Sequence, residues 1–90
     1  MSGQDALGAV DQALSKKPHA DTHDFSAAVR ELARFREEVI QSEGTGERLS
    51  QLNAVISVVI GGHYPLGPVP WPHLEKAREL LAKIVQGSDA

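Results

Sequence analysis

The chain has no cysteine among its 90 residues. Disulfides and thiolate metal ligands are therefore excluded, and a small fold must be held by its core alone. The absence fits a reducing compartment and sets the expectation of a cytoplasmic location. Long apolar runs are also missing. The longest mainly apolar stretch, Ala54 to Ile60, falls far short of the roughly 20 residues that span a bilayer. No basic segment followed by an apolar run stands near the N-terminus, so no signal peptide is expected. The apolar stretch also lacks the Lys- and Arg-rich flank of an interfacial helix, which argues against a membrane partner.

Excess positive charge is lacking as well. Nine Lys and Arg stand against twelve Asp and Glu, a formal net charge of −3. The cations are scattered as Lys16 and Lys17, then Arg30, Arg34 and Arg36, then Lys76, Arg78 and Lys83, interleaved with acids. Nucleic-acid binding without sequence preference needs clustered cations that displace counterions, so no nucleic-acid partner is expected. Solvated helix faces account for the pattern. There is no internal repeat and no long low-complexity tract. The mix of Ala, Arg, Leu and Val suggests a GC-rich bacterial gene.

What the chain has is helical periodicity. The apolar fraction of 41% is adequate for one domain of this length. Leu7, Val10 and Leu14, with Ala6 and Ala13, predict a first helix over about 4–16, with Ser2 as its cap. Its stripe is thin, and Gly8 weakens it by roughly 1 kcal/mol relative to alanine. Pro18 ends it, because the residue before a proline avoids helical geometry. Phe25, Ala28, Val29, Leu32, Phe35 or Arg36, and Val39 trace one face of a second helix at about 24–43, and Ala33 and Ile40 widen it. Thr22 or Asp24 caps it, and Gly44 and Gly46 stop it.

A third helix is expected at about 47–60, capped by Thr45. Leu49, Leu52, Ile56, Val59 and Ile60 have helical spacing, and Val55 and Val58 widen the arc as in a central helix. The competing reading is a strand over 54–60, since the run is rich in β-branched residues. Helix is preferred, because a lone strand would leave backbone groups unsatisfied. The fourth helix begins near Pro72 and runs to about 86, with Leu74, Ala77, Leu81, Ile84 and Val85 buried. Proline is favoured at a first helical position, and Gly87 supplies the stop.

Between the last two helices lies Gly61-Gly62-His63-Tyr64-Pro65-Leu66-Gly67-Pro68-Val69-Pro70-Trp71-Pro72-His73. It holds the only Trp, the only Tyr and four of the five prolines. Prolines exclude a helix through it. The alternating prolines favour an extended conformation with a low ordering cost. Tyr64, Leu66, Val69 and Trp71 are the candidate contact residues for another protein, since Tyr and Trp offer large areas with few rotatable bonds. The competing reading has Trp71 and Leu66 folding back to plug the bundle end. Arg30, Arg34 and Arg36, on the outer side of the second helix, are secondary candidates.

The remaining chemistry is thin. His19-Ala20-Asp21-Thr22-His23-Asp24 gathers two imidazoles and two carboxylates, and zinc accepts both ligand types. With His63 or His73 nearby, His19, Asp21 and His23 are candidate metal ligands, although the spacing fits no metal motif and capping and turn roles suffice for the carboxylates. His63 at a helix end is favoured by the dipole when protonated. Ser57 with His63 lacks an orienting group and an oxyanion site, so catalysis is not expected. Gly61-Gly62 follows no strand and precedes no Lys-Ser or Lys-Thr, so it is no phosphate loop.

These observations set the expectation of an all-α single domain over 1–90. It is a small antiparallel bundle of three to four helices, with a long Pro-rich loop at 61–71 and frayed residues at 87–90. The expected function is that of a soluble protein–protein interaction module without enzymatic activity or cofactor. The alternative is a metal-binding or catalytic protein using the histidine cluster. Homodimerisation through the broad apolar arc of the third helix is a third reading.

Overall fold

The computed structural model describes residues 2–16, 22–64 and 67–88, with side chains at 3–16, 25–64 and 67–86. The described residues form four α-helices and no strand: α1 (Ser2–Leu14), α2 (Thr22–Glu43), α3 (Glu47–His63) and α4 (Trp71–Ser88).

In α1, Ala6, Val10 and Ala13 recur at helical spacing and are buried, while Leu7 and Leu14 are partly buried against the same core. The helix spans Ser2–Leu14 rather than 4–16. Ser15 and Lys16 turn out of it: the Lys16 amide donates to the Ala13 carbonyl at 3.3 Å, and the Ser15 hydroxyl donates to the Gln12 carbonyl at 2.7 Å. Such a hydroxyl competes with the helical ladder and ends it before Pro18 has to. The thin stripe nonetheless docks, because α1 packs on both α2 and α4.

Phe25, Ala28, Leu32, Phe35 and Val39 form the buried face of α2, as the periodicity predicts. This helix starts at Thr22, two residues before the expected boundary, and the side chains of the proposed caps Thr22 and Asp24 lie outside the described residues. It stops at Glu43, where Gly44 takes φ +73°. That left-handed conformation is one that glycine adopts without the steric penalty of a Cβ.

The segment 54–60 is helical, not a strand. Leu49, Leu52, Val55, Val59 and Gly62 of α3 are buried, so the run keeps the phase set by its first turn. The cap is not Thr45. Gly46 occupies the N-cap position in an extended conformation, with no side-chain capping bond. Nor does α3 end at Ile60: Gly61, Gly62 and His63 continue it, and the Tyr64 amide donates to the Ile60 carbonyl at 2.9 Å. The glycines are tolerated because burial of Gly62 anchors the last turn. Tyr64, which precedes a proline, leaves the helix at φ −124°, ψ 64°.

The connector is therefore 64–70 rather than 61–71. Helix α4 opens at Trp71, with the Leu74 amide donating to the Pro70 carbonyl at 3.0 Å. Pro72 is its second residue, still among the positions whose amide has no helical partner. Gly87 does not stop the helix, which includes residues 87 and 88, and residues 89–90 lie outside the described set. Buried Ile84 and Val85 hold that last turn to the core, and one terminal glycine weakens a helix without breaking it.

The four helices close a ring. Each packs on two neighbours, α1–α2, α2–α3, α3–α4 and α4–α1. Among the described residues the diagonal backbones α1–α3 and α2–α4 do not approach closely, and α2 meets α4 through the side chains of Phe25 and Trp71. Their shared interior is centred on Phe25, Leu32, Leu52, Leu74 and Leu81. Polar links reinforce two seams. Arg78 of α4 donates to both carboxylate oxygens of Asp11 in α1, at 2.7 and 3.3 Å. Arg48 at the start of α3 bonds Glu43 at the end of α2 and donates to the Ile84 carbonyl of α4 at 3.3 Å.

Candidate interaction surface

Helix α3 differs from its neighbours in what it turns to water. From Leu49 to Gly62 it carries no charged residue, whereas the exposed side of α2 carries Arg30, Arg34, Glu37 and Glu38 and that of α4 carries Glu75, Lys76, Glu79 and Lys83. Its exposed positions are Ser50, Asn53, Ala54, Ser57, Ile60 and Gly61, followed by Tyr64. Ile60 is 40% exposed and Tyr64 70%. These two are the large apolar side chains left open to solvent among the described residues.

Between α3 and α4 this surface dips into a groove of about 210 Å³. Ala54 and Val58 line it from α3, and Ala77 and Leu80 from α4, with His73 and Lys76 on the α4 side. On the opposite edge of α3, Arg36 of α2 donates to the Asn53 side-chain oxygen at 2.8 Å. That bond holds Arg36 across the α2–α3 seam, half-buried. It is not on the outer side of α2, where the sequence reading put it.

The four connector candidates separate. Tyr64 projects into solvent, its ring 4.2 Å from that of His63 in an edge-on arrangement. Val69 and Trp71 are half-buried and packed against the core, and the Trp71 ring lies 6.0 Å from Phe25, tilted by 39°. Leu66 lies outside the described residues. Arg30 is exposed on α2, and Arg34 reaches Glu31 at 3.6 Å along the same helix.

The metal candidates are not brought together. His19, Asp21 and the His23 side chain lie outside the described residues, and His63 sits half-buried in the last turn of α3. Among the described residues no three His, Cys, Asp or Glu side chains cluster as a metal would need. Ser57 is exposed on α3, six residues before His63 and so on a different side of the helix. No helix among the described residues is long and apolar enough to cross a membrane.

Two features escaped the sequence reading. The α3–α4 groove depends on the relative rotation of two helices, which periodicity on one helix does not give. The Arg78–Asp11 pair joins residues 67 apart in sequence, and nothing local marks it. There the Asp11 carboxylate, by hydrogen bonding and charge, raises the Arg78 guanidinium above its ordinary range. The uncharged run of α3 is legible in the residues themselves, although an apolar helix of this kind reads equally as a central one. Comparison with protein-family models, curated proteins and solved structures finds no match for this chain.

Proposed function

We propose that this protein is a non-enzymatic protein–protein interaction module whose docking surface is the outer face of α3, continued by Tyr64. The observation that carries the reading is the absence of charge from Leu49 to Gly62 on a helix whose outer side leaves Ile60 40% and Tyr64 70% exposed. A face with no partner in the fold would normally carry the Lys and Glu seen on α2 and α4. Uncharged surface with aromatic and aliphatic anchors is the composition of interface centres.

The reading takes the molecule as a soluble, cytoplasmic, antiparallel bundle of bacterial origin with a Pro-rich connector. Support for the antiparallel course comes from contacts at the helix ends. Gly3 lies beside Phe35 and Val85, Gly62 lies beside Phe25 and Leu74, and Arg48 reaches Ile84. Within the connector, Tyr64 is the contact residue we retain. Val69 and Trp71 act by holding the connector to the bundle, which fixes where Tyr64 emerges. Arg30 and Arg34 remain outside this face. The proposed role requires no cofactor.

The test is site-specific photo-crosslinking in the cells that make the protein. A photoreactive residue at Ser57 or Tyr64 is expected to trap one discrete polypeptide, and the same residue at Arg34 is not. Equal trapping at all three positions, or none at Ser57 and Tyr64, overturns the proposal.

A further inference from the structure

We infer that the α3–α4 groove receives an acidic amphipathic helix from another protein, with an apolar side chain seated over Ala54, Val58, Ala77 and Leu80 and carboxylates facing His73 and Lys76. The inference rests on the interaction reading above and names the chemistry of its partner. The groove floor is apolar and its polar side holds His73 and one cation, Lys76, and no carboxylate. Lys83 follows Lys76 by seven residues and so returns to the same side of α4. Glu79 stands one turn from each of these lysines and Glu75 beside Lys76, both on the side of the lysines away from the groove, which neither glutamate lines. Among the described residues Lys76 makes no ion pair. The far edge of α3 carries another cation, Arg36.

This sign runs against the whole chain, whose net charge is −3. Local charge of one sign around an apolar groove selects partners of the opposite sign and speeds their encounter. It also weighs against a second copy as occupant, because a symmetric pair would set the same basic edges against each other. An extended groove between two helices matches the mode in which an amphipathic helix lays its apolar face against a partner, with anchors one turn apart.

Two synthetic helical peptides provide the probe. Both carry leucines one turn apart; one has glutamates at the flanking positions and the other glutamines. Each is titrated into the isotope-labelled full chain while amide resonances are followed. The glutamate peptide is expected to shift Ala54, Val58, Lys76 and Leu80, and to bind at least about ten-fold more tightly than the glutamine peptide at low salt. Lys76→Glu, at an exposed position, is expected to abolish that preference while leaving the other helices' resonances in place. Equal binding of both peptides in the groove overturns the acidic partner but leaves the interaction reading standing. Failure of both to move the groove at millimolar concentration overturns the inference and leaves the α3 face to the crosslinking test. Groove resonances that broaden with protein concentration alone assign the site to a second copy and overturn the inference.

Discussion

Adjacent glycines at the end of α3 have opposite duties. A Cβ on Gly62 would come within 3.2 Å of both Leu74 methyl groups and 3.3 Å of the Phe25 ring, whereas one on Gly61 would meet nothing within 4 Å. Alanine in place of an exposed helical glycine gains about 0.5–1 kcal/mol, and overpacking a core costs about 1–3 kcal/mol. Gly61→Ala is therefore expected to raise the unfolding free energy by about 0.5–1 kcal/mol, and Gly62→Ala to lower it by about 1 kcal/mol or more. Urea denaturation of the two variants checks the pair; equal shifts of the same sign would show that Gly62 is not in close contact. Trp71 belongs to the same end of the bundle. Half-buried on Phe25, it is expected to cost about 2 kcal/mol when truncated to alanine, below the range for a fully buried aromatic. A loss under about 0.5 kcal/mol in the same assay would mean that its contact with Phe25 contributes little.

Helices are where the sequence was most legible, and their ends show where it was not. Phe25, Leu32, Leu52, Leu74 and Leu81 are buried as periodicity requires, because side-chain spacing along one helix is a local property. The extension of α3 through Gly61 and Gly62 was not legible. Two glycines before a proline signal a break locally, and only burial against Leu74 and Phe25 outweighs that signal. The uncharged outer face of α3 could be read from the residues, but the groove beside it could not, since His73 and Lys76 meet Ala54 and Val58 only once α4 has packed. The same tertiary origin governs the link between α1 and α4. Asp11 and Arg78 share two bonds, so Asp11→Asn and Arg78→Ala are expected to lower the thermal midpoint. The double variant should lose less than the sum of the two, since either change alone removes the shared interaction. Strict additivity in a double-mutant cycle would mean that the pair is not coupled. Arg48 makes a broader tie, from Glu43 through α3 to the Ile84 carbonyl. Its replacement by alanine should cost about 1–2 kcal/mol. Lysine should restore only part, because one ammonium cannot reproduce the planar guanidinium that faces both partners.

At the scale of the whole molecule, the arrangement of charge makes salt the decisive variable. The chain is net acidic, yet the groove beside its uncharged helix is edged by His73 and Lys76, with Arg36 across α3. Two copies meeting through α3 would oppose Lys76 and Arg36 to their own counterparts while also carrying −3 each. Both repulsions act over a Debye length of about 10 Å at 0.1 M salt and about 3 Å at 1 M. The apolar contribution of Ile60, Val58 and Leu80 is not weakened by salt. Self-association through this face should therefore be weakest in dilute buffer and strengthen as sodium chloride is added, whereas capture of an acidic helix should weaken over the same range. Sedimentation equilibrium across that series is expected to give the monomer mass of 9.7 kDa at low salt, with any dimer emerging only at high salt. Val58→Asp should suppress that dimer. A stable dimer at low salt that dissociates as salt rises would mean that complementary charges hold two copies together, and the basic edge of the groove would then be facing acids of its own kind.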